Sequence, residues 1–170
     1  MRFVLVFACL LAPAAATAED WGPVQFLLGQ WTGEGGGAPG QATGGFSFVP
    51  DLQGKVLIRK NFAEYPPAGG KPAFRHDDLM VIYREEDSPQ LRAIYFDNEG
   101  HVIHYSVRPI ADGGVVMESE GPRTAARYRM TYRNADRGRL KIRFEIAPPG
   151  KDFAGYIEAT ARRDGGEAPK

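Results

Sequence analysis

The sequence predicts an all-β protein: ten antiparallel strands in up-and-down order, closed into a barrel, with one short helical turn in front. Three observations carry that expectation. Beyond residue 28 no stretch repeats its apolar residues with a helical period. Short runs alternate apolar and polar residues instead, punctuated by Gly, Pro, Asn and Asp about every eight to twelve residues. With no crossover helix available, consecutive strands must be hairpin neighbours, and closing the sheet on itself removes both exposed edges. An open two-sheet sandwich is the competing architecture.

Taken in order, the chain opens on a segment that does not belong to the fold. Arg2 gives a minimal basic start, Phe3 to Leu11 are apolar, Pro13 interrupts, and Ala16-Thr17-Ala18 is a small-residue cleavage site. Residues 1–18 therefore read as a secretory signal peptide, too short to span a bilayer. Lipidation of Cys9 is the competing reading of this segment. Cleavage leaves one domain over residues 19–165 and a disordered tail over 166–170, with a periplasmic or secreted location and no integral membrane segment. Cys9 is the only cysteine, so the exported chain depends on its core without disulfides or thiolate metal sites. Of the 21 basic and 21 acidic residues only Arg2 leaves with the signal, and so even a charge balance argues against nucleic acid as a partner.

Trp21 to Leu28 make one helical turn, with Trp21, Val24, Phe26, Leu27 and Leu28 as apolar contacts. The predicted strands are Gln30–Gly36, Thr43–Val49, Lys55–Tyr65, Phe74–Glu85 and Gln90–Asn98 in the first half. His101–Ile110, Val115–Glu120, Ala126–Arg133, Arg139–Ala147 and Gly155–Arg163 complete the set. Asp97-Asn98-Glu99-Gly100 suits a type I turn with glycine in the left-handed position. Asp112-Gly113-Gly114 and Asn134 to Gly138 are similar turns. Residues 65–72 carry too much Pro and Gly for a strand, which makes them a surface loop placed to act as a portal flap.

Alternation assigns the faces. Leu79, Val81 and Tyr83 share one, as do Leu91, Ala93 and Tyr95, then Ile103, Tyr105 and Val107. Tyr128, Met130 and Tyr132 follow, and Leu140, Ile142 and Phe144. These sets are expected inside. Arg84, Arg92, Arg108, Arg127, Arg129, Arg133, Lys141, Arg143 and Glu145 are expected outside. A ten-stranded barrel is wide enough to leave interior space.

The stretch Phe26-Leu27-Leu28-Gly29-Gln30-Trp31-Thr32-Gly33-Glu34-Gly35 resembles the start of the calycin superfamily, the lipocalins, fatty-acid-binding proteins and relatives. More narrowly it is similar to nitrobindin-like haem-binding barrels and related uncharacterised exported barrel proteins. The resemblance implies that Trp31 packs at the closed end under an arginine of the last strand, Arg162 or Arg163, with strand parity favouring Arg163. It also implies a haem ligand near the start of the last strand. This chain has no histidine beyond His104, and Tyr156 stands nearest that position.

The best place for polar chemistry is the hairpin at Asn98-Glu99-Gly100, which sets Asp97 across from His101. If Leu79 pairs with Tyr95, Asp77 joins them, giving a rim of Asp77, Asp97 and His101. A carboxylate can raise and orient an imidazole for acid–base work, making Asp97 and His101 the weak catalytic candidates. The same groups could hold a divalent ion loosely, although a cross-strand ion pair would look no different. His104 has outward parity, and the neighbours His76, Asp77 and Asp78 point to alternate faces. Arg127, Arg129 and Arg133 offer a polyanion face or a plain solvated surface. No nucleophile elbow, phosphate loop or Ser–His–Asp arrangement is present. The functional expectation is an interior that binds a small apolar or amphipathic molecule, lined by Tyr83, Tyr95, His101, Tyr105, Met130, Phe144 and Tyr156. No cofactor and no metal are expected. A haem protein acting on nitrogen oxides or peroxide, a barrel isomerase or cyclase, and a filled structural barrel are the alternatives.

Overall fold

The computed structural model describes residues 20–34, 42–136 and 138–165. The expected signal peptide, Cys9, the glycines from Gly35 to Gly40 and the C-terminal tail lie outside them. A 3-10 turn, Gly22–Leu27, precedes β1 (Gly29–Gly33), β2 (Thr43–Asp51), β3 (Val56–Tyr65), β4 (Phe74–Arg84) and β5 (Leu91–Asp97). Then come β6 (Val102–Ile110), β7 (Gly114–Ser119), β8 (Arg127–Ala135), β9 (Arg139–Ala147) and β10 (Ala154–Arg163). Every strand pairs antiparallel with its sequence neighbour, and β1 pairs with β10, so the sheet is a closed ten-stranded barrel rather than a sandwich. The seam sets Trp31 opposite Arg163 on one side and opposite Phe46 on the other.

The two ends of the barrel differ. At one end the 3-10 turn lays Trp21, Val24 and Leu27 against a core of Trp31, Phe48, Leu57, Met80, Ile82, Leu91, Met117, Tyr132 and Leu140. Phe46, Phe48 and Tyr132 interlock there, with ring centroids 5.8–6.1 Å apart. Indole Nε1 of Trp31 donates to Leu27 O at 2.8 Å, and the Arg163 guanidinium lies 4.1 Å from the Trp31 ring. Arg163 also donates to the carbonyls of Phe26, at 2.8 Å, and Leu28. Gly29 makes this possible. Its φ of +111° lies in the left-handed region, and a side chain there would place Cβ 2.7 Å from Arg163 Nη1. The Gly-x-Trp is thus a clearance for the arginine as much as a turn.

Two expectations need correcting. β8 runs on to Ala135, past its expected end at Arg133, whereas Gly35 and Gly36 of the expected first strand lie outside the described residues. More consequential is the parity of β4. Met80 and Ile82 are fully buried and Asp78 is buried with them, whereas Leu79, Val81 and Tyr83 face outward and are only partly covered. Both faces of β4 are apolar, so alternation alone could not choose between them. The pairing of β4 with β5 settles it: Met80, not Leu79, lies opposite Tyr95, and Asp78, not Asp77, lies opposite Asp97.

Candidate functional site

Above the packed end the barrel holds a cavity of about 770 Å³ that opens at the other end. Its lining is divided by strand. β8, β9 and β10 supply Tyr128, Met130, Ile142, Phe144, Ile146, Tyr156 and Ile157, an apolar wall. β3, β4 and β5 supply Arg59, Asn61, His76, Asp78, Tyr95 and Asp97, the polar wall, with Glu99 and His101 at its rim and Phe62, Ala63, Tyr65 and Phe74 also bordering the cavity from β3 and β4. Tyr105 and Ile103 of β6 stand between the two. The loop after β3 closes tightly on an Ala68–Lys71 bridge, and Lys71 borders the mouth.

The polar wall is one hydrogen-bonded chain. Deepest is a buried ion pair between Arg59 and Asp78, and Asn61 Nδ2 donates to the second oxygen of Asp78 at 2.8 Å. Taking a guanidinium out of water is costly, and the Asp78 charge offsets that cost and holds Arg59 charged. His76 Nε2 stands 3.4 Å from Asp78 Oδ2 and 3.1 Å from the Tyr95 hydroxyl, while Nδ1 stands 2.8 Å from Glu99 Oε1. Hydrogen bonds to Asp78 and Glu99, opposed by burial, raise the imidazole to about 9, so it is a cation at neutral pH. Tyr95 donates to Asp97 Oδ2 at 3.2 Å, and its own ionisation is pushed up by burial and by the charges of Asp78 and Asp97. The same Asp97 oxygen lies 2.8 Å from His101 Nδ1, and Oδ1 accepts the backbone N–H groups of Glu99 and His101 at 3.0 and 2.9 Å. Burial pushes the Asp97 carboxyl up, and these bonds outweigh it, holding it below its ordinary value.

Of the residues singled out from sequence, Tyr95, His101, Tyr105, Met130, Phe144 and Tyr156 border this cavity. Tyr83 does not; it faces outward between Val56 and Arg92. Asp77 also faces outward, paired with Arg75 at 2.9 Å, and its expected place in the rim belongs to Asp78 and His76. Trp31 and Arg163 form the plug at the closed end. His104 points outward beside Ile94. At the mouth a bulge between Gly155 and Ile157 leaves Tyr156 as an extra residue, its ring edge-on to Phe144 at 6.1 Å.

Arg59, Asn61, His76, Asp78 and Glu99 were missed. The signal for two of them was present: His76 and Asp78 are two apart on a strand, hence on one face, although their neighbour Asp77 is not. Arg59 and Asn61 follow the same rule on β3. On the outside, the basic residues considered for a polyanion are engaged: Arg129 is bidentate on Glu145 at 2.7 and 2.9 Å, Arg133 pairs with Asp112, and Arg127 lies over Phe153. That leaves the interior as the place where chemistry converges. The sequence matches no protein-family model and no curated protein.

Proposed function

We propose that this protein is an exported binder of one small amphipathic molecule, held in the barrel with its apolar body against β8–β10 and its polar end against β3–β5. The observation that carries this reading is the divided cavity of about 770 Å³. The space is in the range of about 300–1,000 Å³ typical of small-molecule sites, and its walls differ in chemistry as the two ends of an amphipathic ligand do. A barrel serving only as structure would have no need of an ion pair and an imidazole along an open interior. Export rests on the composition of residues 1–18.

Haem has less support. Tyr156, which the resemblance would make its ligand, is half exposed at the rim and packs on Phe144. A tyrosine so placed does not fit an axial haem ligand. The test is native mass spectrometry of protein taken from its own compartment. A retained molecule of a few hundred daltons, lost on denaturation, is the expected result. An invariably empty barrel, together with failure to bind any amphipathic fluorescent probe, would overturn the proposal.

A further inference from the structure

We infer that the mouth of the cavity is a binding site for one divalent transition-metal ion of the Zn²⁺ class, with His76, Asp97 and Glu99 as its ligands. One ligating atom from each lies within 4.8 Å of the other two. Bond lengths of about 2.0–2.2 Å to nitrogen and oxygen require these atoms to close up, and the residue that must move most freely is the one best able to. Glu99 sits in the exposed hairpin turn and reaches inward through a flexible side chain.

The ligand types fit. One imidazole with two carboxylates suits zinc and its neighbours better than an all-oxygen set, which would favour Ca²⁺ or Mg²⁺, and binding displaces the proton that His76 shares with Glu99. Three protein ligands leave coordination positions open, as catalytic and exchangeable sites do. All three residues border the cavity.

What separates this cluster from a chance gathering of surface charges is how its parts are tied together. Asn98, between Asp97 and Glu99 in sequence, binds both neighbours of His76. Its side chain donates to Arg75 O at 2.9 Å and accepts from the Asp77 N–H at 3.2 Å, while its own N–H donates to Asp77 O at 3.0 Å. Three bonds thus fix the turn carrying two ligands onto the strand carrying the third. Asp97 is oriented in turn by two backbone N–H groups and by His101. Metal sites depend on such outer partners to set ligand geometry.

The inference does not depend on the proposed amphipathic ligand, and its test uses the metal alone. The full chain, purified without a histidine tag and stripped with chelator, is titrated calorimetrically with zinc chloride. The expected result is saturable binding of one ion per chain. His76→Ala and Glu99→Gln each weaken it by more than about tenfold, the lower bound for loss of even a supporting residue. Asn98→Ala, removing a positioning residue, keeps the stoichiometry and weakens affinity by about 10–100-fold. His104→Ala, on the outer face, changes nothing. Circular dichroism checks that each variant folds, and if His76→Ala does not, Glu99→Gln decides on its exposed turn. Absence of saturable binding would overturn the inference, as would unchanged binding in folded His76→Ala or Glu99→Gln.

Discussion

Single residues in this barrel divide into those that hold it shut and those that face the ligand space. Trp31 belongs to the first group. Its ring is buried under Arg163 and its N–H is satisfied by Leu27, so Trp31→Ala removes a large core side chain and the ring on which the Arg163 guanidinium rests. A loss of about 3–5 kcal/mol is expected in denaturant unfolding, with ligand affinity little changed in the folded fraction. Unaltered stability with abolished binding would show the plug to be a ligand clamp. Arg59 and Asp78 straddle both groups. Breaking the pair from one side, as in Asp78→Asn, leaves a buried charge and is expected to cost about 3–5 kcal/mol. The double change Arg59→Met with Asp78→Leu is expected to recover much of that loss, measured by the same unfolding experiment. His76 adds a pH dependence. Its folded value is raised from 6.5 to about 9, so the stability it contributes is complete below pH 6.5 and is lost as pH rises through about 9. In chelator-treated protein the decline across that window is expected to be at most about 3 kcal/mol and to vanish in His76→Gln. A pH-independent melting temperature between those limits would contradict it.

At the scale of elements, how much was legible depended on whether a strand had one apolar face or two. β6, β8 and β9 alternate cleanly, and their inward residues Tyr105, Met130 and Phe144 reach the cavity as expected. β4 has apolar residues on both faces, Leu79 and Val81 against Met80 and Ile82, so its register was undetermined by pattern. The choice of the wrong face displaced every β4 residue by one, which put Asp77 where Asp78 belongs and hid His76. The inner face of β4 is marked by a contact between strands, the buried Arg59–Asp78 pair, which no local window contains. The turn at Asp97–Gly100, by contrast, was readable from its residues because its geometry is local. Strand β2 is shaped by a steric constraint of similar kind. A Cβ at Gly44 would lie 2.3 Å from the carbonyl oxygen of Phe62 across the ladder. Gly44→Ala is therefore expected to destabilise by about 1–3 kcal/mol. A melting temperature at or above that of the parent would refute the close approach.

On the scale of the whole molecule, the wall formed by β3–β5 changes character along its length. Its inner face is apolar at the packed end, with Leu57, Met80, Ile82 and Leu91, and turns charged residues inward towards the open end at Arg59, His76, Asp78 and Asp97, while Val81, Ile94 and Phe96 are partly or openly exposed on its outside. The opposite wall, β8–β10, has the conventional arrangement, apolar within and charged without. The difference is what gives the cavity its two chemistries, and it explains why a sequence reading based on apolar-in alternation found Tyr95, Asp97 and His101 but missed Arg59, His76 and Asp78.

The seam between β1 and β10 has a consequence for how the molecule comes into being. The 3-10 turn and Trp31 are made first, but the guanidinium that caps them is Arg163, 137 positions beyond Phe26. Synthesis runs from the plug towards its fastener, and until β10 is complete the growing sheet has two open edges and an unsecured stopper. Contacts so distant along the chain slow folding, because loop closure must precede any reward. The last strand is thus a latch that delays acquisition of structure until the polypeptide is whole. A chain ending before Ala154 is accordingly expected to aggregate in size-exclusion chromatography, however many of its hairpins are intact.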